Sequence, residues 1–368
     1  MIEKIDKKLC SGCNACANVC PKNAIKMEED REGFWYPKVD YSLCIKCCLC
    51  IETCPSIRRY VSKNVSDELN VYAGWSKNED TRLTSTSGGI FSELANEFLK
   101  KGGFVGGAKY GDNFQVEHAL ISNVQEINTL KQSKYVQSQI GYQYKSIREL
   151  LLQDKKVLFC GTPCQNAGLS CFLGREYKNL IKVDFICRGV ISPLVYSKYL
   201  RMLEEKNGGK ITNFSFKNKT HGWNEFSTLA EFNNGARYLK NRYEDIYMIG
   251  YLKHNLYLRP SCHHCLYKEM PRITDITLGD FWGIANSKPN LDDNKGTSVI
   301  MLNSEKGHQM FDGIKEHLFY EKCSYEEVVS GNPCLIKSVL EGENRTRFFE
   351  YIQTESFENA FNYAINKD

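Results

Sequence analysis

Cysteine is the residue type whose spacing here carries chemistry. Cys10, Cys13, Cys16 and Cys20 form one run, closed by Pro21; Cys44, Cys47, Cys50 and Cys54 form a second, closed by Pro55. Both read C-x2-C-x2-C-x3-C-P, the spacing that ligates a pair of four-iron clusters. The first three thiolates of each run hold one cluster and the fourth crosses to the other. The expected sets are Cys10, Cys13, Cys16 and Cys54 for one [4Fe-4S] cluster, and Cys44, Cys47, Cys50 and Cys20 for the second. Each closing proline turns the chain away without offering a backbone donor. A disulfide framework or a pair of zinc sites fits this spacing far less well. The chemistry is electron transfer.

Four more cysteines form a candidate third site. Cys164 and Cys187 follow the apolar segments Val157–Phe159 and Ile181–Ile186, and Cys262-His-His-Cys265 is a C-x2-C pair. Strand ends of an open α/β sheet converge on one edge, where ligands bind. With His263 and His264 inside the pair, bare spacing leaves both iron–sulfur and zinc open. A nucleophilic Cys164 would lack an evident paired base. Cys48 reads as a spare small apolar residue, and Cys160, Cys171, Cys323 and Cys334 as buried or incidental thiols. The loop Thr84-Ser-Thr-Ser-Gly-Gly89 opens a helical run. Its free N–H groups could take a phosphate, or it is an ordinary helix start with flexible glycines.

The elements that must position these groups fall into two parts. Residues 1–62 read as a small two-cluster, ferredoxin-like domain with short strands at Ile2–Asp6 and Ala24–Met27. Its insert, Lys26–Tyr41, carries Phe34-Trp35-Tyr36-Pro37 and reads either as a hairpin over the clusters or against the next domain, or as a plain surface loop. Residues 63–70 are polar and read as a linker. From Val71 to the end at 368 the pattern is mixed α/β. Strands are expected at Val71–Trp75, Gly102–Ala108, Val157–Phe159, Ile181–Ile186 and Ser298–Leu302. Helices are expected at Ile90–Lys101, Lys145–Gln153, Leu194–Lys206 and Ile246–Leu258. Ile211–Leu239 alternates like antiparallel strands, and the tail from about 304 reads as mostly helical. The fold class is α+β.

Composition excludes several functions. Lys and Arg number 48 against 44 Asp and Glu, and no basic block is interleaved with aromatics, so nucleic acid is not expected. No run of about 18 apolar residues suggests a membrane span. Met1–Leu9 lacks the apolar core of an export signal, and 17 cysteines without one argue for metal ligation in a reducing, cytoplasmic setting.

Taken in order, Ser87-Gly-Gly-Ile90, Lys134-Tyr135, Gly161-Thr-Pro-Cys164-Gln165, Asp184-Phe-Ile-Cys187, Cys262-x-x-Cys265 and Asp275-Ile-Thr-Leu-Gly-Asp280 resemble the coenzyme F420 hydrogenase/dehydrogenase beta-subunit family, which also takes in 7-hydroxymethyl chlorophyll a reductase. The resemblance runs from about Val71 to Gly283, and an N-terminal ferredoxin module is a common companion. It implies that the larger domain binds flavin, with a third [4Fe-4S] cluster on Cys164, Cys187, Cys262 and Cys265 beside FAD. Thr86, Ser87, Gly88, Gly89 and Lys134 would contact FAD, at the pyrophosphate, with Ser138, Gly161 and Thr162 as further contacts. Asp280 and Trp282 would either close the flavin pocket or belong to the core; His221 and Trp223 would face substrate or form a structural loop. The implied activity is that of an iron–sulfur flavoprotein oxidoreductase. Electrons would enter from an external ferredoxin or a redox partner subunit and leave to a small-molecule substrate or deazaflavin, with flavin converting between single electrons and hydride. The rivals are a non-enzymatic electron-transfer subunit feeding a separate catalytic chain, and a zinc-plus-ferredoxin regulator without flavin.

Overall fold

A computed structural model describes residues 1–58, 69–268 and 270–366. The expected linker at 63–70 lies outside them apart from its last two residues, and Asn70 already begins a strand.

The large part is built on an eight-stranded sheet ordered Leu318–Cys323, Asn70–Ser76, Ser298–Leu302, Ile276–Asp280, Leu180–Phe185, Val157–Cys160, Phe104–Tyr110 and Val116–Ile121. The four strands from Ile276–Asp280 to Phe104–Tyr110 are mutually parallel, and the remaining pairings are antiparallel. Val157, Leu158 and Val183 are fully buried, as expected for parallel strands covered on both faces. One cover is the Ile90–Lys100 helix, which buries Ile90, Leu94, Ala95 and Leu99 at helical spacing. The carboxyl ends of the parallel strands (Tyr110, Cys160, Phe185 and Asp280) share one edge.

Beside this sheet, Ile211–Asn218, Ser227–Phe232 and Arg237–Asn241 form a three-stranded antiparallel sheet. It packs with the helices Pro193–Asn207, Arg345–Tyr351 and Phe357–Ile365 on a core dense in Tyr and Phe. Among the described residues, no helix is long and apolar enough to cross a membrane.

In the N-terminal part the insert is a hairpin, Ile25–Glu29 against Trp35–Val39, and it docks on the large domain. Phe34 is fully buried in the aromatic core, and Arg345 forks onto the Glu32 carboxylate at 2.5 and 3.0 Å. Gly33 takes φ 77° where a side chain would collide with Leu194.

Several expected elements differ. Ile2–Lys4 is a single 3-10 turn, not a strand. The helix from Ile246 stops at Leu252, because Asn255 turns left-handed at φ 51° and Leu256 returns its N–H to Gly250. The tail contains the strand Leu318–Cys323, and Val116–Ile121 forms the opposite edge. Edge strands need apolar residues on few positions, so neither carries a clear alternation. Cys48 is exposed, and of the four cysteines read as incidental only Cys323 is buried.

His118, on the Val116–Ile121 edge strand, is buried against Phe159, their rings stacked 5.5 Å apart. Burial holds its pKa down at about 4, against an ordinary 6.5. Below pH 6.5 the unfolded chain takes up a proton that the folded chain refuses, so stability falls as pH drops toward 4. The loss should reach about 3 kcal/mol. Denaturant midpoints at pH 7 and 4.5 should show that part of the acid sensitivity removed in His118→Phe; equal sensitivity in the two proteins would refute it.

Candidate functional site

The two cysteine runs fold into the same backbone. Gly12 and Lys46, each just before the second cysteine of its run, are left-handed at φ 67° and 57°. Asn14 and Cys48, each just after it, are left-handed at 69° and 61° and cap the short helices Ala15–Val19 and Leu49–Glu52. Alternating hand of this kind curls a loop and turns successive N–H groups inward toward an anionic centre. Cys10, Cys13, Cys16 and Cys54 line one cavity with Ile2, Ile5, Met27 and Pro37. Burial pushes the Cys13, Cys16 and Cys54 thiols up, and neighbouring thiols of the same set add to it. In the other set, Cys20, Cys44 and Cys50 are half-buried against the same small apolar core, and Cys47 is exposed.

Cys164, Cys187, Cys262 and Cys265 line a second cavity at the sheet's carboxyl edge. Each arrives by its own route. Cys164 sits in the first turn of the Pro163–Leu173 helix, capped by Thr162 in a reciprocal box with Gln165. Cys187 follows the Leu180–Phe185 strand, and Cys262 lies in the short turn Pro260–His264, its sulfur accepting the Val190 N–H at 3.4 Å. Lys268 ties the Cys187 and Cys334 carbonyls together. His263 is turned away, Nδ1 on the Val339 carbonyl at 3.0 Å, while His264 lines the cavity. Cys334 lines it too, a fifth thiol that the spacing gave no reason to place there.

Burial raises the Cys164, Cys187 and Cys262 thiols, Cys262 to about 12. Such thiols ionise only beside strong positive charge, which a bound metal would provide as it displaced their protons. The four thiols, converging on one cavity, are a donor set that either a four-iron cluster or a zinc ion could use.

The two cavities adjoin. Ser11, Gly12 and Ser56 of the N-terminal part line the Cys164 cavity. A side chain on Gly168, in the helix that begins beside Cys164, would lie 2.9 Å from the Cys13 sulfur.

The expected flavin contacts divide. Ser138, Gly161 and Thr162 meet near Cys164: Thr162 Oγ1 lies 3.1 Å from its sulfur, and Gln165 bridges the Ser138 hydroxyl and the Thr162 N–H. The Thr86–Gly89 loop lies further along the edge, with its two hydroxyls and the Gly88 N–H engaged. Ser133 donates its N–H to Thr86 Oγ1, the Ser87 hydroxyl donates to the Thr297 carbonyl, and Gly88 donates its N–H to Ser298 Oγ. A side chain on Gly88 would strike the Gly74 carbonyl, so bulk there tests the packing of this loop before any ligand.

Lys134 is half-buried beside Cys160, 5.2 Å from the Tyr110 ring centre, its ammonium held by the Lys131 and Gln132 carbonyls and by no carboxylate among the described residues. Burial lowers its pKa to about 7. Asp280 accepts hydrogen bonds from the fully buried Lys217 at 3.1 Å and from Trp223 Nε1 at 3.0 Å, and Trp223 stacks on Trp282 at 4.6 Å. Trp223 is buried in this stack, and His221, exposed, pairs its Nδ1 with the Ser227 hydroxyl at 2.9 Å.

Residues 154–328 match the family model for the C-terminal part of the coenzyme F420 hydrogenase/dehydrogenase beta subunit, and residues 9–57 match the 4Fe-4S dicluster domain. Among solved structures, a chain of the F420-reducing [NiFe] hydrogenase complex from Methanosarcina barkeri, studied by xenon derivatization, is similar at 14% identity and a TM-score of 0.47. The match covers 82% of this chain and 94% of that one. No curated protein matches.

Proposed function

Because residues 154–328 belong to the coenzyme F420 hydrogenase/dehydrogenase beta-subunit family and residues 9–57 form a 4Fe-4S dicluster domain, we propose that this iron–sulfur electron-transfer chain is a flavoprotein oxidoreductase. On this reading three [4Fe-4S] clusters connect an external electron donor to FAD and a small-molecule substrate.

The succession of cysteine sets carries the proposal. The set with exposed Cys47 shares an apolar core with the Cys10 set, and the Cys10 set abuts the cavity of Cys164, Cys187, Cys262 and Cys265. Thr162 and Gln165 line that cavity, and Gln165 reaches from it to Ser138. Bound clusters would carry electrons singly, and bound FAD would exchange them for a hydride. The chain's own residues supply the order of the sites and their insulation. Leu43, Ile45 and Leu49 are exposed around Cys47, a face suited to an external ferredoxin or a redox partner subunit.

The half-buried Lys134 ammonium, with no carboxylate partner among the described residues, suits a phosphate of FAD, which would restore its charge. Lys134→Met should weaken flavin retention roughly tenfold or more, the worth of one charge-assisted hydrogen bond, with iron unchanged. Full flavin occupancy after gel filtration would remove Lys134 from the site.

The deciding experiment is an anaerobic count of iron, sulfide, zinc and released flavin on the purified chain. About twelve irons and one FAD are expected for three clusters. About eight irons with zinc and no flavin would overturn the proposal.

A further inference from the structure

Four arginines are buried among the described residues: Arg82, Arg259, Arg272 and Arg345. Three have carboxylate partners, Asp293 for Arg82, Asp184 for Arg272 and Glu32 for Arg345. Arg259, at 0% exposure, has none among the described residues. It stands just before Pro260 and Cys262, and its side chain runs back into the N-terminal module. Nε donates to the Cys10 carbonyl at 2.8 Å, Nη1 to Gln137 Oε1 at 3.0 Å, and Nη2 to the Trp35 carbonyl at 3.0 Å and the Cys10 sulfur at 3.6 Å. The guanidinium lies 4.2 Å from the Tyr36 ring centre and 5.4 Å from that of Phe34.

Arginine stays protonated in any protein setting, and a buried charge facing only neutral acceptors is strongly unfavourable. Aromatic faces offset part of that. The missing partner is an anion, and the atom hydrogen-bonded to it that becomes anionic on ligation is the Cys10 sulfur, while the Cys164 and Cys262 thiols feel the guanidinium at longer range.

We propose that Arg259 is the internal counter-ion of the cluster held by Cys10, Cys13, Cys16 and Cys54, and that it raises that cluster's reduction potential relative to a neutral residue in its place. This rests on those four cysteines forming one [4Fe-4S] site. One-electron reduction adds one negative charge to the cluster. A fixed cation hydrogen-bonded to a ligand sulfur in a water-poor setting stabilises that added charge. The exposed Cys47 loop has no buried cation of this kind among the described residues, so an electron taken up there would be drawn inward. Arg259 is a positioning and tuning residue, touching the ligand and not the substrate.

The test is an anaerobic potentiometric titration of the full chain followed by electron paramagnetic resonance, with iron counted alongside, for wild type, Arg259→Gln and Arg259→Lys. In Arg259→Gln one reduced-cluster signal should become about tenfold harder to populate, about 59 mV for a one-electron couple, while the others shift less. Arg259→Lys, which keeps the charge and loses the fork, should shift the same signal less. If Arg259→Gln fails to hold its iron, the lysine variant decides alone. Unchanged potentials in the loaded variants, or an equal shift of every signal, would overturn the proposal. A wild-type chain whose dicluster module holds no four-iron signal would instead remove the reading beneath it.

Discussion

Cys187→Ala should remove about four irons per chain and leave the two N-terminal clusters spectroscopically intact. The two halves of this expectation have separate grounds. Cys187, Cys164 and the Cys262/Cys265 pair come from three different elements of the large domain and meet only at their cavity, so removing Cys187 opens the site with no neighbour in sequence to replace it. The N-terminal sets are carried on their own loops and share none of these residues. One thiol is poised to substitute: Cys334 lines the same cavity, with the Arg188 guanidinium 3.9 Å from its sulfur. The measurement is therefore iron and sulfide per chain for Cys187→Ala and for Cys187→Ala with Cys334→Ala. Wild-type iron in the double variant would mean that the cavity holds no cluster.

Glu32→Ala should cost about 3 kcal/mol, the lower end of what breaking one half of a buried ion pair costs. Glu32 is the only carboxylate among the described residues that forks onto Arg345; Glu341, at 3.9 Å, is a weaker neighbour that keeps the loss from being larger. Arg345 also donates to the Leu258 carbonyl, and Ser192 donates its hydroxyl to the Glu32 carbonyl. One contact thus joins the hairpin, the start of the Pro193–Asn207 helix and the C-terminal helices. Replacing both partners, Glu32→Ala with Arg345→Met, should cost less than Glu32→Ala alone, because no charge is left stranded. Anaerobic denaturation followed by tryptophan fluorescence reads both. A double variant weaker than the single one would show that the pair matters through packing and not charge.

The sequence announces what is local. Cluster ligands recur at fixed spacing because a short loop must wrap a fixed object, so the eight N-terminal cysteines stand out without any fold. The apolar segments before Cys164 and Cys187 likewise betray buried parallel strands, and with them the edge where those cysteines meet. What is not legible is reach. Arg259 lies 249 residues from Cys10, and nothing in Arg-Pro-Ser-Cys shows which way its side chain runs. Cys334 and Glu32 are silent for the same reason. The Thr86–Gly89 loop reads in sequence as either ligand cradle or helix start, and its glycines are pressed against the sheet and the preceding helix. The hairpin's Phe34 is visible as an aromatic, but whether it faces clusters, solvent or a second domain depends on a partner surface far along the chain.

The repeated backbone of the two cysteine runs has a consequence for direction. A module whose halves are nearly interchangeable could seat on the large domain either way round, with either cluster innermost. Position 12 breaks the tie. A side chain there would collide with the Gln137 amide and press on Arg259, while the matching position in the other run carries Lys46, which is exposed. Turned by half a revolution, the module would drive a lysine into a buried arginine. The absence of one side chain thus decides which way round the module seats.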